Sequence, residues 1–574
     1  MTVKANDEQA WGKPMPAANL HAISVSIPTW HDATVIWHGE SGICHKFPVG
    51  YPRFMLHFRV QQLANECLKQ LDLDPHVYGC LPLCSSGLVE QCRAFLDRQW
   101  RLQQKKGAVL VDTRNAICTF GQYTVHAIIY PAEDASLAKG FWSKVGCGVS
   151  SRFADCCLRA AGIDAYDLPP NGPVDAAALS PASTLPGHYL PAEQAMEAKQ
   201  LIRRRLVDIL HDTYPADAGD HTIEYTRAHP SAQALTIDSV YLYNYGMSAI
   251  YAMNRLLYRA SPKGRAVCLG FPFTSTLKSL EQLWDHCLFL GYGTEEDIDR
   301  LETELADPTR PTIHSLFCEF PTNPLLKAPN IRRLRALADQ YDIPLWIDTT
   351  AGGFSNCLLL PYVDAMVISL TKLFSGGCDV TGGCLIVNTA RSHGRRMQHA
   401  LSVDGGDGLP AYEDNLWCED AVVLEHNCRT YVERAARINR TTEAIADYLC
   451  THPKVASLHY PKYTDRALYD AHKSVDGGYG GLLSIVLHTP EAAQAFIDAI
   501  PCAKGPTFGT NFTLVCPYTV ITHYFEADWA AQYNVPLQLI RIGIGLEDVE
   551  QVRGWLDTAF AATPDPPSCA HTTV

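Results

Sequence analysis

The sequence predicts an α/β protein: a mainly parallel sheet with helices on both faces, followed by a smaller α+β unit. Three observations point there. Between about residues 240 and 390, short apolar runs alternate with segments of helical periodicity, the pattern of strand–helix–strand units. One run, Asp364-Ala-Met-Val-Ile-Ser-Leu-Thr-Lys372, delivers a lysine to a glycine-rich turn that extends to Gly383. Another, Pro344-Leu-Trp-Ile-Asp348, ends in an acid.

The 574 residues exceed what one core fills, roughly 250–300 residues, so two or three folded units are expected. The expected division is an N-terminal extension and inter-subunit arm with a small α/β element (1–190), a large α/β domain (191–395), and a C-terminal α+β domain (396–562), followed by a disordered tail (563–574). In the extension, Val60 to Leu71 has helical spacing and Val109 to Tyr130 carries short β-like runs. Pro169 to Pro191 reads as a Pro/Ala/Ser-rich linker. Ile202, Leu206, Ile209 and Leu210 mark one helix face, with Arg203, Arg204 and Arg205 on a solvated one.

The alternating units follow. Strands are expected at Val240 to Tyr245, Arg265 to Phe271, Thr312 to Phe320, Leu345 to Asp348 and Ala365 to Leu370, and an antiparallel or edge strand at Gly383 to Val387. Helices are expected from Gly246, over Thr276 to Trp284, and through Ile331, Leu334, Ala338 and Tyr341. Beyond residue 395 the rhythm changes to a long helical segment, Glu419 to Leu449. Strands at Val455 to Tyr460, Leu482 to Leu487, Phe512 to Pro517 and Leu539 to Ile544 come next, then a helix from Leu546 to Phe560.

Composition excludes several classes. A net charge of −14 argues against a general nucleic-acid binder, and no apolar run approaches a membrane span. The 21 cysteines are scattered, as reduced thiols of an intracellular protein would be. His76, Cys80 and Cys84 have zinc-like spacing without a second ligand pair, so no metal is expected. The first residues lack the order of a secretory signal and carry acids a mitochondrial presequence avoids, which leaves the cytoplasm as the expected compartment.

A lysine at the end of an apolar strand is costly to desolvate. That cost lowers its pKa and frees its amine for Schiff-base chemistry. A surface lysine is the blander reading of Lys372 alone, but it has company. Gly246-Met247-Ser248 sits where a strand turns into a helix, and helix N-terminal N–H groups bind phosphate. Ser369 and Thr371 could add hydroxyl donors, and Asp348 could keep a ring nitrogen protonated. An acid, a lysine and a phosphate cradle together describe a pyridoxal phosphate site.

The order Tyr245-Gly-Met-Ser, Glu319-Phe-Pro-Thr-Asn-Pro324, Asp348-Thr-Thr, Ser369-Leu-Thr-Lys372 and Arg541-Ile-Gly-Ile-Gly-Leu-Glu-Asp548 resembles the Cys/Met-metabolism family of pyridoxal phosphate enzymes. Pro-Thr-Trp-His-Asp32, Gly50-Tyr-Pro-Arg-Phe54 and Gly509-Thr-Asn-Phe-Thr-Leu-Val-Cys-Pro-Tyr518 resemble its fungal cystathionine γ-synthase type. The resemblance covers roughly residues 20–60 and 190–560. It implies fold type I, with a seven-stranded-type sheet, and a homo-oligomer (dimer or tetramer) with shared active sites. Lys372 would carry the cofactor and shuttle protons, and Asp348 would pair with its ring nitrogen. Gly246, Met247, Ser369 and Thr371 would hold its phosphate, and Tyr51 and Arg53 would reach the phosphate of a neighbouring subunit. Arg541, aided by Asn323, would clamp the substrate carboxylate, with Thr507 nearby.

Two residues depart from the family pattern. Phe273 stands where the family has a tyrosine that stacks on the ring; it can stack but cannot transfer a proton. Tyr245 replaces a small residue and could narrow the pocket or restore a phenol. Both are therefore candidates for shaping catalysis.

The resemblance implies γ-replacement on an O-acyl-L-homoserine with L-cysteine as nucleophile. A carbon nucleophile such as a β-keto acid, in natural-product biosynthesis, is the alternative. Rivals are weaker. Ser369-x-x-Lys372 also fits a serine-hydrolase motif, but no Lys-Thr-Gly partner is present. A non-catalytic paralogue with a binding role is disfavoured by Lys372, Asp348 and Arg541, and a DNA-binding sensor by the absence of a basic helix-turn-helix segment.

Overall fold

The computed structural model describes residues 11–17, 19–38, 47, 49–51, 54–102, 113–163, 192–212, 230–283, 287–403 and 412–566. The Pro169–Pro191 linker and Arg53 lie outside these residues.

An N-terminal ribbon pairs β1 (Pro14–Met15) with β2 (Ser24–Val25). Next come β3 (Tyr78–Leu83), β4 (Arg114–Phe120) and β5 (Tyr123–Pro131), an antiparallel sheet in the order β3-β5-β4. The helix expected from Val60 is Phe58–Gln70, and its Val60, Leu63, Cys67 and Leu68 pack with Cys118, Val125, Ala127 and Ile129. Helix Ser151–Ala160 is fixed to it by a buried Arg59–Asp155 ion pair at 2.7 Å.

The large sheet has seven strands. They are β6 (Val240–Tyr243), β7 (Arg265–Leu269), β8 (Cys287–Leu290), β9 (Ile313–Glu319), β10 (Leu345–Asp348), β11 (Ala365–Ile368) and β12 (Gly383–Val387), in the order β6-β12-β11-β10-β9-β7-β8. Only β12 runs against its neighbours. It is antiparallel as expected but interior, and β6 forms the edge. Alternation along the strands sends Val267, Leu316, Ile347 and Met366 to one core and Cys268, Phe317, Trp346 and Val367 to the other. Burial on both faces is what a mainly parallel sheet requires. Strand β8 and the helix Glu295–Ala306 after it were not anticipated.

The last sheet contains β13 (Val455–His459), β14 (Leu482–Leu487), β15 (Ala503–Lys504), β16 (Leu514–Pro517) and β17 (Leu539–Gly543), in the order β13-β14-β17-β16-β15. The expected long helix is two, Cys418–Cys428 and Tyr431–Leu449. Arg434 spans the break by donating to Asn427 O, and it also donates to Leu373 O and Phe374 O, tying this helix to the turn after Lys372.

Two further expectations need correction. Arg203 and Arg205 do not simply face water, because Arg203 donates to Tyr412 OH and Arg205 to Glu425 and Cys428; only Arg204 is exposed. The tail is not loose from residue 563, since Thr563 is buried and its carbonyl accepts from Lys454 Nζ. None of the described cysteines is in a disulfide, and no described helix is long and apolar enough to cross a membrane.

Candidate active site

The carboxyl ends of parallel strands expose backbone and side-chain ends to a crevice, the usual ligand position in such sheets. Here β9 ends in Glu319, β10 in Asp348, and the turn after β11 carries Ser369 to Lys372. Together with the start of helix Gly246–Ala260 and the loop before β16, they bound a cleft of ≈ 750 Å³. Tyr51, Tyr245, Gly246, Met247, Phe273, Asn323, Asp348, Ser369, Thr371, Lys372 and Arg541 all line it. These are the sequence-predicted site residues apart from Arg53 and Thr507.

Lys372 is 5 % exposed, and its Nζ donates to Thr507 Oγ1 at 2.7 Å and to Tyr51 OH at 2.9 Å. Thr507 therefore touches the lysine through its side chain. Its carbonyl and that of Pro506 accept from Arg541 Nη2 at 3.3 and 2.8 Å. Arg541 is buried between the rings of Phe508 and Tyr518, and its Nη1 donates to Asn323 Oδ1 at 3.1 Å. The guanidinium is thus held rigidly beside the lysine. Tyr51, expected to reach a neighbouring subunit, sits here in the cleft of its own chain.

On the opposite wall, Tyr245 precedes helix Gly246–Ala260 without a side-chain capping bond, so the first N–H groups of the helix are left for a ligand. A Cβ at position 246 would come within 2.7 Å of Ser369 Cβ, so the glycine keeps the serine and the helix end close enough to share one anion. Thr371 differs from expectation. Its hydroxyl accepts from Gly382 N and donates to Gly382 O, and so braces the turn.

Asp348 accepts from Thr350 N at 2.8 Å, and burial pushes its carboxyl up to about 6. Glu319 is its register neighbour on β9. Burial, and then the charge of Asp348, lift the Glu319 carboxyl well above the usual range. Its two oxygens accept from Phe273 N at 2.7 Å and Asn323 N at 2.9 Å. One carboxyl therefore holds both the aromatic ring at the cleft and the partner of Arg541. Glu319 opens the Glu319-Phe-Pro-Thr-Asn-Pro324 segment, which carried no role for it; its place at the end of a buried strand was the available signal. Phe508, next to Thr507, was likewise given no role.

The donors and acceptors fit pyridoxal phosphate. The site offers a buried amine, a helix N-terminus with a hydroxyl beside it, an aromatic face, and a buried carboxylate that a protonated ring nitrogen would stabilise. Among the described residues no three His, Cys, Asp or Glu side chains gather as metal ligands.

Comparison with known proteins agrees with this geometry. Residues 233–561 match the family described as Cys/Met metabolism PLP-dependent enzyme, and residues 59–150 match the fungal trans-sulfuration enzyme N-terminal domain. The chain is 32% identical over 628 residues to the cystathionine gamma-synthase-like enzyme iboG2 of Amanita muscaria, covering 98% of each chain. It is 34% identical over 613 residues to the cystathionine gamma-synthase of Neurospora crassa, covering 94% of this chain and 96% of that one. It is also 28% identical over 602 residues to the alanine racemase ungC of Aspergillus violaceofuscus, covering 96% of both. The chain belongs to the Cys/Met metabolism family of enzymes, and its cofactor is pyridoxal phosphate.

Proposed function

We propose that this enzyme performs γ-replacement on an O-acyl-L-homoserine, with L-cysteine as the nucleophile and cystathionine as the product. The observation that carries the reading is the pairing of Lys372 with Arg541 through Thr507. It sets a proton carrier beside the group best suited to hold an α-carboxylate. Similarity over nearly the whole chain to the cystathionine gamma-synthase of Neurospora crassa supports it.

Bound pyridoxal phosphate supplies an electron-poor ring that stabilises negative charge at the substrate Cα. Asp348 would pair with the ring nitrogen, Phe273 would cover one face, and Gly246, Met247 and Ser369 would hold the phosphate. Arg541 and Asn323 bind the α-carboxylate in a charge-assisted contact. Lys372, steadied by Thr507 and Tyr51, would take the Cα proton and return protons along the chain as the Cγ–O bond breaks, the γ-acyloxy group departs as a carboxylate and the nucleophile bonds to Cγ.

A carbon nucleophile such as a β-keto acid is the second reading. Phe273, which brings no hydroxyl, and Tyr245, which brings bulk to the cleft, favour it. The division into an N-terminal arm, a large domain and a C-terminal domain, a homodimer or homotetramer with shared sites, and a cytoplasmic location complete the proposal. Incubation with O-acetyl- and O-succinyl-homoserine and separate nucleophiles, read by product mass, tests it. A mass for cystathionine supports the first reading, a carbon adduct without thioether replaces it with the second, and a protein that takes up no cofactor points to a non-catalytic binding role.

A further inference from the structure

A second cavity, of ≈ 460 Å³, lies behind the cofactor cleft. Tyr245 and Thr381 line both spaces, so the phenol ring forms part of the wall between them. The far wall comes from the N-terminal region, through helix Phe58–Gln70, Trp142 and the start of helix Ser151–Ala160.

The main cation of this chamber is Arg152, which is 5 % exposed. Its Nη1 donates to Asp379 O at 2.8 Å and to Asp420 Oδ1 at 3.1 Å. Its Nη2 is buried and bonds to nothing among the described residues. An arginine N–H left unpaired in a buried space is costly, and one beside an open chamber is free to donate to a ligand or water that enters it. The other charged or titratable groups facing the chamber do not supply one. Asp420 already takes Nη1, and Asp379 Oδ1 accepts from Asn427 Nδ2 at 2.9 Å. His57 Nε2 donates to Leu20 O, and nearby His21 pairs with Ser151; burial lowers the pKa of both rings, which keeps them uncharged.

We propose that this chamber binds the carboxylate of the second substrate, the incoming nucleophile, on Arg152 Nη2, with Tyr245 at the boundary across which the nucleophile meets the cofactor. The inference rests on the γ-replacement reading. Its logic is one of cation supply. Among the described residues lining the cleft, the cations are Lys372 and Arg541, and the cofactor and the first substrate engage both. L-cysteine and a β-keto acid each bring a further carboxylate, and a buried carboxylate needs a cationic partner. Arg152 provides it at the adjoining chamber.

The test uses holoenzyme and two probes that lack an amine and so leave Lys372 alone: 3-mercaptopropionate for the thiol class and acetoacetate for the carbon class. Titration calorimetry on the wild type should show saturable binding of at least one, and which one binds separates the two sources of the carboxylate. Arg152→Met should weaken that binding at least tenfold with the cofactor absorbance band unchanged, and Arg152→Lys should restore part of it. Val149→Phe, which fills the chamber from another wall and keeps the Arg152–Asp420 pair, should weaken it as well. In turnover, Arg152→Met should cost L-cysteine at least tenfold in kcat/KM while cysteamine, which has no carboxylate, is unaffected. Binding by Arg152→Met and Val149→Phe equal to wild type, no binding of either probe by the wild type, or equal turnover losses with cysteine and cysteamine would overturn the proposal. The binding arm needs no acylated homoserine, so failure of the donor chemistry alone is separately visible.

Discussion

Thr507 Oγ1 accepts a hydrogen bond from Lys372 Nζ at 2.7 Å, across 135 residues of chain and between two sheets. The same residue's carbonyl accepts from Arg541. Replacing Thr507 with valine keeps the shape and the carbonyl but deletes the hydroxyl. A hydrogen bond to a charged group contributes about 1.5–3 kcal/mol, so kcat should fall by roughly 10–100-fold. KM for the acylated homoserine should change little, because Arg541 stays in place. Thr507→Ser should retain most activity. Steady-state kinetics check this, and a rise in KM with unchanged kcat would reassign the hydroxyl to substrate binding.

Glu319 bonds the main chain at both Phe273 and Asn323. In Glu319→Gln one oxygen remains, and an amide NH2 is turned toward a buried N–H. An unpaired buried donor costs about 1–3 kcal/mol, which should appear as that loss in urea denaturation. KM for the donor substrate should rise too, since Asn323 and then Arg541 lose their brace. Wild-type stability together with wild-type KM would show that the two N–H groups find other acceptors.

The proposed catalytic frame was legible where chemistry coincides with local pattern. Lys372 and Asp348 each follow a short apolar run, so strand, end and residue type could be read together. Thr507 offered no such signal, because its partner is brought near only by the packing of one sheet on another. Helix Glu295–Ala306 escaped because its apolar stripe is thin: Ile298 and Leu301 are its fully buried large apolar side chains. Strand β8 is four residues long, too short to show a period. The break at residues 429–430 is invisible to periodicity, since both flanking helices bury the same kinds of residue and Arg434 alone marks the junction. Arg152 went unread because its neighbours in the N-terminal region carry no motif.

Asp348 gives the cofactor-free protein a specific pH dependence. Its carboxyl titrates near 3.8 when unfolded, and burial raises it to about 6 in the fold. Between those values the folded state keeps a proton that the unfolded state has lost. Stability therefore falls as pH rises through this window, and the deficit from this group is complete above about 6. Burial lifts Glu319 in the same direction. Denaturation of apoprotein between pH 4 and 8 should show this slope. Asp348→Asn should flatten it, and the holoenzyme, with a protonated ring nitrogen beside the carboxylate, should lack most of it. An apoprotein whose stability rises over that range would contradict the burial argument.

Tyr51 decides between two arrangements of the N-terminal arm. If its phenol serves a neighbouring subunit's phosphate, as the family resemblance implies, Tyr51→Phe should weaken cofactor retention and leave the lysine's behaviour alone. In the structure the phenol instead lies 2.9 Å from Lys372 Nζ of its own chain, with the ring 4.5 Å from the same nitrogen. Phe273 supplies no hydroxyl, whereas Tyr51 brings a phenol into direct contact with the amine proposed to carry protons. Removing it leaves the ring against the lysine nitrogen, and deletes one hydrogen-bond partner of the buried amine. Tyr51→Phe should therefore lower kcat roughly tenfold or more and move the pH at which the cofactor absorbance band changes, while cofactor affinity by dialysis stays within about twofold. Phe273→Tyr in that background should recover part of kcat by restoring a phenol at the cleft. A Tyr51→Phe protein that loses its cofactor on dialysis with an unshifted band would place this residue at the phosphate instead.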